Sequence, residues 1–292
     1  MEGNQTERTS DNVYNRFRKN NYKTVEKYLS WTIPSSIPTL YDTTFLRRLQ
    51  YGFSVFYEEI KPKKEFKLMD RRDHDACSSF REKWDREYAK IFMHCKEFTN
   101  LQINDKILLY KNANYLFTTI ERMYTSIECG SNEKNNYMLT YDNVVADLNH
   151  KESPNSINTY VEPFDRTKPL WISYRENLSK LLHKPMLNLR LTQFELVYIL
   201  AQILWSTQDI KGLSPTTHDL ANQMIDQISS ELHDYYVNER RMYNYSPRLV
   251  KMITLIEGAK AIVNELQNVT LISQVYNIFD FKADLSELCD QF

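Results

Sequence analysis

The sequence predicts an all-α domain, and three observations carry that expectation. Glycine is scarce, 5 residues in 292, whereas sandwiches, barrels and doubly wound sheets consume it in their turns. Apolar residues recur at steps of three and four through long stretches, the period of a helix face. Residues 191–205 (LTQFELVYILAQILW) are apolar on nearly every side, the profile of a helix buried in the middle of a layered bundle. A domain of roughly 250 residues buries about three quarters of its unfolded surface and needs no disulfide or metal to hold it together.

In chain order, residues 1–38 read as a poorly ordered polar arm, closed by Pro34 and Pro38, and residues 39–292 as the domain. Residues 39–60 carry Leu40, Phe45, Leu49, Phe53 and Phe56 at helical spacing, and Pro62 stops them. A charged, solvated link (KPKKEFKLMDRRDHD) follows. From 75 to 98, Phe80, Trp84, Tyr88, Phe92 and Cys95 draw one stripe down a helix. Burying each large side chain there is worth roughly 1.5–3 kcal/mol, so the stripe faces a core.

Residues 104–128 predict one bent helix or two consecutive ones, with Gly130 as the stop. Two short β-favouring pieces, 137–141 and 143–146, predict a small hairpin, the only plausible sheet. Helical pattern returns at 163–184 with Leu170, Tyr174, Leu178 and Leu181, and Pro185 ends it. Thr192 and Glu195 have the spacing of a capping box ahead of the apolar helix. Ser214-Pro215 supplies an N-cap and a first-turn proline for a helix reaching about Arg240. The last long helix begins at Tyr245-Ser246-Pro247, with a stripe of Leu249, Ile253, Ile256, Val263, Leu266, Val269 and Phe279. An amphipathic piece, DLSELC, lies in the tail.

Several functions are argued against at once. A net charge of −1 gives no basic nucleic-acid footprint. Cys77, Cys95, Cys129 and Cys289 are scattered with no CxxC, so they build no zinc finger and suit a reducing compartment. The N-terminal stretch lacks the apolar core of a signal peptide, and the run 194–205 holds Glu195 and Gln202 and is too short to span a bilayer. A soluble intracellular protein is expected. No GxGxxG, phosphate-cradling loop, GxSxG or HExxH occurs, and none of the 6 histidines follows a glutamate by three residues. Asp73-His74-Asp75 reads as a surface charge cluster. Neither catalysis nor a cofactor or metal is expected.

The stretch FTNLQINDKILLYKN, residues 98–112, is more specific. Its Phe98, Leu101, Asp105-Lys106, Leu108-Leu109 and Lys111 resemble the signature that follows the third helix of nuclear receptor ligand-binding domains. Residues 187–249 resemble the expanded nematode branch of supplementary nuclear receptors, through Leu191-Thr192 with Glu195, Ile203-Leu204-Trp205, Gly212-Leu213-Ser214, Glu231-Leu232-His233 with Tyr235-Tyr236, and Asn244-Tyr245 with Arg248-Leu249. The resemblance covers about residues 39–290.

It implies a three-layer antiparallel helical sandwich of about 10–12 helices around a lipophilic pocket. It also implies a groove for coregulator helices of LxxLL type, in which a lysine meets the bound helix's C-terminal carbonyls and a glutamate its N-terminal amides. Carried over, Lys111 lines that groove, Met93 stands where the clamp lysine usually does, with Lys90 and Lys96 one turn to either side, and Glu287 in the tail is the acidic partner. Ligand-lining positions are Cys77, Phe80, Arg81, Trp84, Thr118, Thr119 and Arg122. The two arginines are either anchors for a carboxylate or hydroxyl or surface ion-pair partners. Glu195 and Arg248 are expected to form a buried structural pair. Leu178–Leu182, LSKLL, formally matches LxxLL, but its leucines are needed for the core.

With 4 cysteines, the chain carries no module with eight in two zinc sites, so direct DNA binding is not expected. The implied function is a nuclear transcription regulator that takes a small lipophilic ligand, coregulators, and a homo- or heterodimer partner of the same family. The alternative is a ligand-independent helical scaffold that retains only the fold.

Overall fold

A computed structural model describes residues 25–30, 43–69, 74–149 and 163–275. Its helices are α1 (residues 25–29), α2 (Phe45–Ile60), α3 (His74–Phe92), α4 (Lys96–Thr99), α5 (Ile103–Glu128), α6 (Pro163–Leu178), α7 (Lys184–Leu189), α8 (Gln193–Trp205), α9 (Pro215–Asp234) and α10 (Ser246–Val275). Two π-helical turns, Ser179–His183 and Tyr235–Glu239, join α6 to α7 and extend α9. The strands are β1 (Lys67–Leu68), β2 (Tyr137–Tyr141) and β3 (Val144–Asp147).

The architecture is a three-layer helical sandwich. The middle layer is built on α8, which packs against α2, α5, α9 and α10. Only a helix without a polar face can do this, and Phe194, Leu196, Val197, Ile199, Leu200, Ala201, Ile203 and Leu204 are all buried. Trp205 closes the helix and is buried too, with the Phe45 ring 6.2 Å away. The capping box forms as the sequence requires: Thr192 Oγ1 accepts from the Glu195 N–H, and the Glu195 carboxylate accepts from the Thr192 N–H at 2.7 Å. On one side lie α2 and α3, at a closeness that only glycine permits: a Cβ on Gly52 would sit 2.7 Å from the Ile91 carbonyl oxygen. On the other side α10 packs on α5, α6, α7 and α8.

Several sequence expectations are corrected. The stripe of residues 75–98 is not one helix: α3 stops at Phe92, the backbone turns through Met93–Cys95, and α4 is a separate single turn. Residues 104–128 form one continuous helix. Pro185 does not end the helical run, because at the start of α7 its missing N–H costs nothing. The helix after Ser214-Pro215 changes to π geometry at Tyr235. The sheet has three strands: β1 pairs parallel with β3, which pairs antiparallel with β2. On α10, Ile253 is exposed, and Met252, Leu255, Ala259 and Ile262 form the buried stripe with Ile256 and Val263. Leu40, Phe279 and the DLSELC tail lie outside the described residues.

The polar arm is corrected in one segment. Residues 25–29 are helical, and Val25 and Leu29 belong to the main apolar core. Leu178 and Leu182 are buried, so the LSKLL leucines serve the core. The π turn that carries Leu182 is tied to the segment just ahead of β2, with His183 Nε2 2.9 Å from Ser131 Oγ and Asn136 Nδ2 donating to Ser179 Oγ at 2.9 Å.

Candidate ligand and coregulator sites

The α3–α5 interface is lined by large rings. Trp84, Tyr88, Phe92 and Phe117 are wholly buried; Tyr88 stacks on Trp84 at 4.7 Å and on Phe117 at 5.5 Å and meets Phe92 edge-on at 4.9 Å. Polar groups set into this apolar surface must be hydrogen-bonded to persist. Two clusters show how.

In the first, Asp85 is the acceptor. Its carboxylate takes Arg81 Nε at 3.1 Å, Tyr110 OH at 3.1 Å and Asn114 Nδ2 at 2.9 Å. Arg81 Nη1 donates to Thr118 Oγ1 at 3.4 Å and Nη2 to Asn114 Oδ1, so each guanidinium nitrogen has an acceptor within the protein. The guanidinium also lies 5.2 Å from the rings of both Trp84 and Tyr115. Burial, and then the neighbouring Asp85 charge, push the Tyr110 phenol well above its ordinary range, keeping it protonated as a donor.

In the second, Glu121 is the acceptor and is fully buried. It takes Trp84 Nε1 at 2.9 Å, Thr125 Oγ1 at 2.7 Å, Arg122 Nε at 2.7 Å and Arg122 Nη2 at 2.5 Å. Arg122 is itself only 3% exposed, and its guanidinium lies 5.3 Å from the Phe80 ring. Among the described residues, its Nη1 is buried with no hydrogen-bond partner. A charge-compensated guanidinium thus offers an unpartnered Nη1, with both of its N–H donors, beside the Phe80 ring.

The start of α5 forms a separate site. Asp105 accepts from the Ser214 N–H at 3.2 Å, Ser214 Oγ at 2.5 Å and Thr217 Oγ1 at 2.6 Å, locking α5 to the start of α9. Burial alone would raise the Asp105 carboxyl, but these hydrogen bonds hold it below the usual range. Its neighbour Lys106 is 7% exposed, and its Nζ donates to the Leu29 carbonyl oxygen at the end of α1, at 3.3 Å. Burial lowers the Lys106 ammonium. The Tyr28 ring of α1 lies 5.4 Å from Lys90 Nζ, on the last turn of α3. Met93 is buried in the turn after α3, and Lys96 is exposed.

Residues 62–276 match the family described as the ligand-binding domain of nuclear hormone receptor. The chain belongs to that family. Similar proteins include nuclear hormone receptor family members of Caenorhabditis elegans. The member nhr-213 is 23% identical over 68% of this chain and 47% of its own length. The member nhr-127 is 24% identical over 73% of this chain and 60% of its own, and nhr-218 is 20% identical over 85% and 63%. The chain therefore spans about half to three fifths of these relatives.

Within this ligand-binding domain, Phe80, Arg81 and Trp84 of α3 meet Thr118 and Arg122 of α5 through the contacts above, and Cys77 packs half-buried against the same core. Thr119 is half-buried, its Oγ1 donating to Tyr115 O at 3.0 Å. Lys111 is half-buried on α5, and Glu287 lies outside the described residues. Sequence reasoning missed Asp85, Asn114 and Glu121, the acceptors that decide which arginine keeps a spare donor. The Arg81–Asp85 spacing of four residues was the one available signal. Lys106 was noticed as signature, not as the residue that caps a helix. No group of three His, Cys, Asp or Glu able to hold a metal occurs among the described residues, and no helix there is long and apolar enough to cross a membrane.

Proposed function

We propose that this protein is a receptor-type transcription regulator of the nucleus. In this reading it binds a small lipophilic ligand at Arg122 and docks coregulator helices beside Lys106 and Lys111. The observation that carries the ligand half is the unused, buried Nη1 of Arg122. An unmet donor in an apolar interior costs about 1–3 kcal/mol, so a partner that supplies an acceptor is favoured there.

The chemistry of that partner follows from Glu121. A carboxylate ligand would add a second negative charge to a site whose arginine is already compensated. A ketone, ester or hydroxyl oxygen accepts the same N–H without that cost. The ligand is therefore a neutral lipid with one terminal acceptor. The coregulator half is supported by the Lys106 contact to a helix C-terminal carbonyl, the interaction by which such grooves grip their peptides.

Organic extraction of the purified protein followed by mass spectrometry tests the ligand reading. Wild-type protein is expected to release a neutral oxygenated lipid, and Arg122→Lys, which keeps a cation beside Glu121 but loses the planar fork, to release at least about tenfold less. Recovery of a fatty acid, or of equal lipid from both proteins, would contradict it.

A further inference from the structure

The segment Val25-Glu26-Lys27-Tyr28-Leu29 has apolar residues at its first, fourth and fifth positions, the spacing of an LxxLL helix. It is helical. Val25 and Leu29 are buried, Tyr28 is half-buried, and Glu26 and Lys27 point to solvent. Its last carbonyl is capped by Lys106, and its aromatic residue lies against Lys90. These are the contacts that a groove beside Lys106 would offer to a coregulator helix: apolar side chains at one, four and five inward, and a lysine on the negative end of the dipole.

We infer that α1 is an internal coregulator mimic, seated in the chain's own docking groove at the α3–α5 junction, so that an external LxxLL helix binds only after α1 has left. The inference rests on the groove reading above. Two features make α1 displaceable as well as seated. It is a single helical turn and a half, too short to hold its helical form without the surface beneath it. Among the described residues, the side chains that hold its backbone are Ser30, a local bond from Oγ to the Lys27 carbonyl at 2.8 Å, and Lys106, the 3.3 Å bond that ties it to the rest of the fold. A competing helix of several turns offers the same three apolar positions with more backbone to cap. In such an arrangement the measured dissociation constant equals the intrinsic one divided by the fraction of molecules whose groove is open.

The test uses the full 292-residue chain and a fluorescein-labelled peptide with a Leu-x-x-Leu-Leu core, read by anisotropy. Leu29→Asp and the milder Tyr28→Asp release α1 and are expected to tighten peptide binding at least tenfold and threefold over wild type. In parallel, hydrogen exchange of wild type with saturating peptide is expected to speed up at residues 25–30. Circular dichroism checks that each variant keeps its helices, and if Leu29→Asp does not, Tyr28→Asp and the exchange measurement decide. Peptide binding of equal strength to wild type and the folded variants, or unchanged exchange at 25–30 in the peptide complex, would overturn the mimic and leave the groove standing. No binding to any protein at millimolar peptide would overturn the groove itself, and the mimic with it.

Discussion

Two glutamate–arginine pairs with a buried carboxylate, Glu195 with the half-buried Arg248 and Glu121 with the buried Arg122, teach different things. Arg248 spends every guanidinium nitrogen: Nε on Glu195, Nη1 on the Leu189 carbonyl at 2.7 Å, and Nη2 on Glu195 at 2.7 Å and the Arg190 carbonyl at 3.0 Å. Glu195 also accepts from the Tyr236 hydroxyl and the Thr192 N–H. That pair ties the start of α10 to the end of α7, the cap of α8 and the π turn after α9, and nothing is left over. Arg122 shares two nitrogens with Glu121 and keeps one. The first pair is a structural lock. The second is compensated in charge but not in hydrogen bonding, which is what a site for a neutral acceptor requires.

Removing one partner of the lock has the largest expected effect. Arg248→Ala leaves the Glu195 carboxylate buried without its cation, and urea denaturation is expected to show a loss of about 3–5 kcal/mol. A loss below about 1 kcal/mol would mean that the lock is ornamental and that the contrast with Arg122 fails.

A smaller effect separates the pairs by pH. Burial pushes the Glu195 carboxyl up, but hydrogen bonds from Arg248, Tyr236 and Thr192 outweigh it and hold the group below its ordinary 4.5. The unfolded chain therefore takes up this proton first. The stability it contributes is complete above pH 4.5 and is lost as pH falls through the lowered native value. Glu195→Gln is expected to be less stable at neutral pH and to lose the part of the acid slope below 4.5 that wild type shows. Identical slopes for the two proteins in urea titrations from pH 5 to 3 would contradict it.

The lock was legible in the sequence and the open pair was not, for a physical reason. Thr192 and Glu195 announce themselves by cap spacing, and an apolar helix on every side forces the one acid at its start to find a cation. The hairpin pieces and the proline-marked starts of α9 and α10 were equally local signals. Glu121, Asp85 and Asn114 sit in helices where a polar residue ordinarily marks the solvent face. Only the packing of α3 on α5 turns them inward. Strand β1 escaped notice because two exposed residues, Lys67 and Leu68, carry no alternation. The π turns escaped because one extra residue per turn leaves no compositional trace. Residues 25–29 were hidden by their polar flanks, and their register shows only once Lys106 is seen to cap them.

The most direct test of the account is competitive binding of a matched pair of lipids, a long-chain methyl ketone and the fatty acid of equal length, to wild type and to Glu121→Gln. Wild type is expected to prefer the ketone by at least about tenfold, and Glu121→Gln, whose Arg122 is no longer compensated, to reverse toward the acid. Equal or tighter binding of the acid by wild type would contradict it.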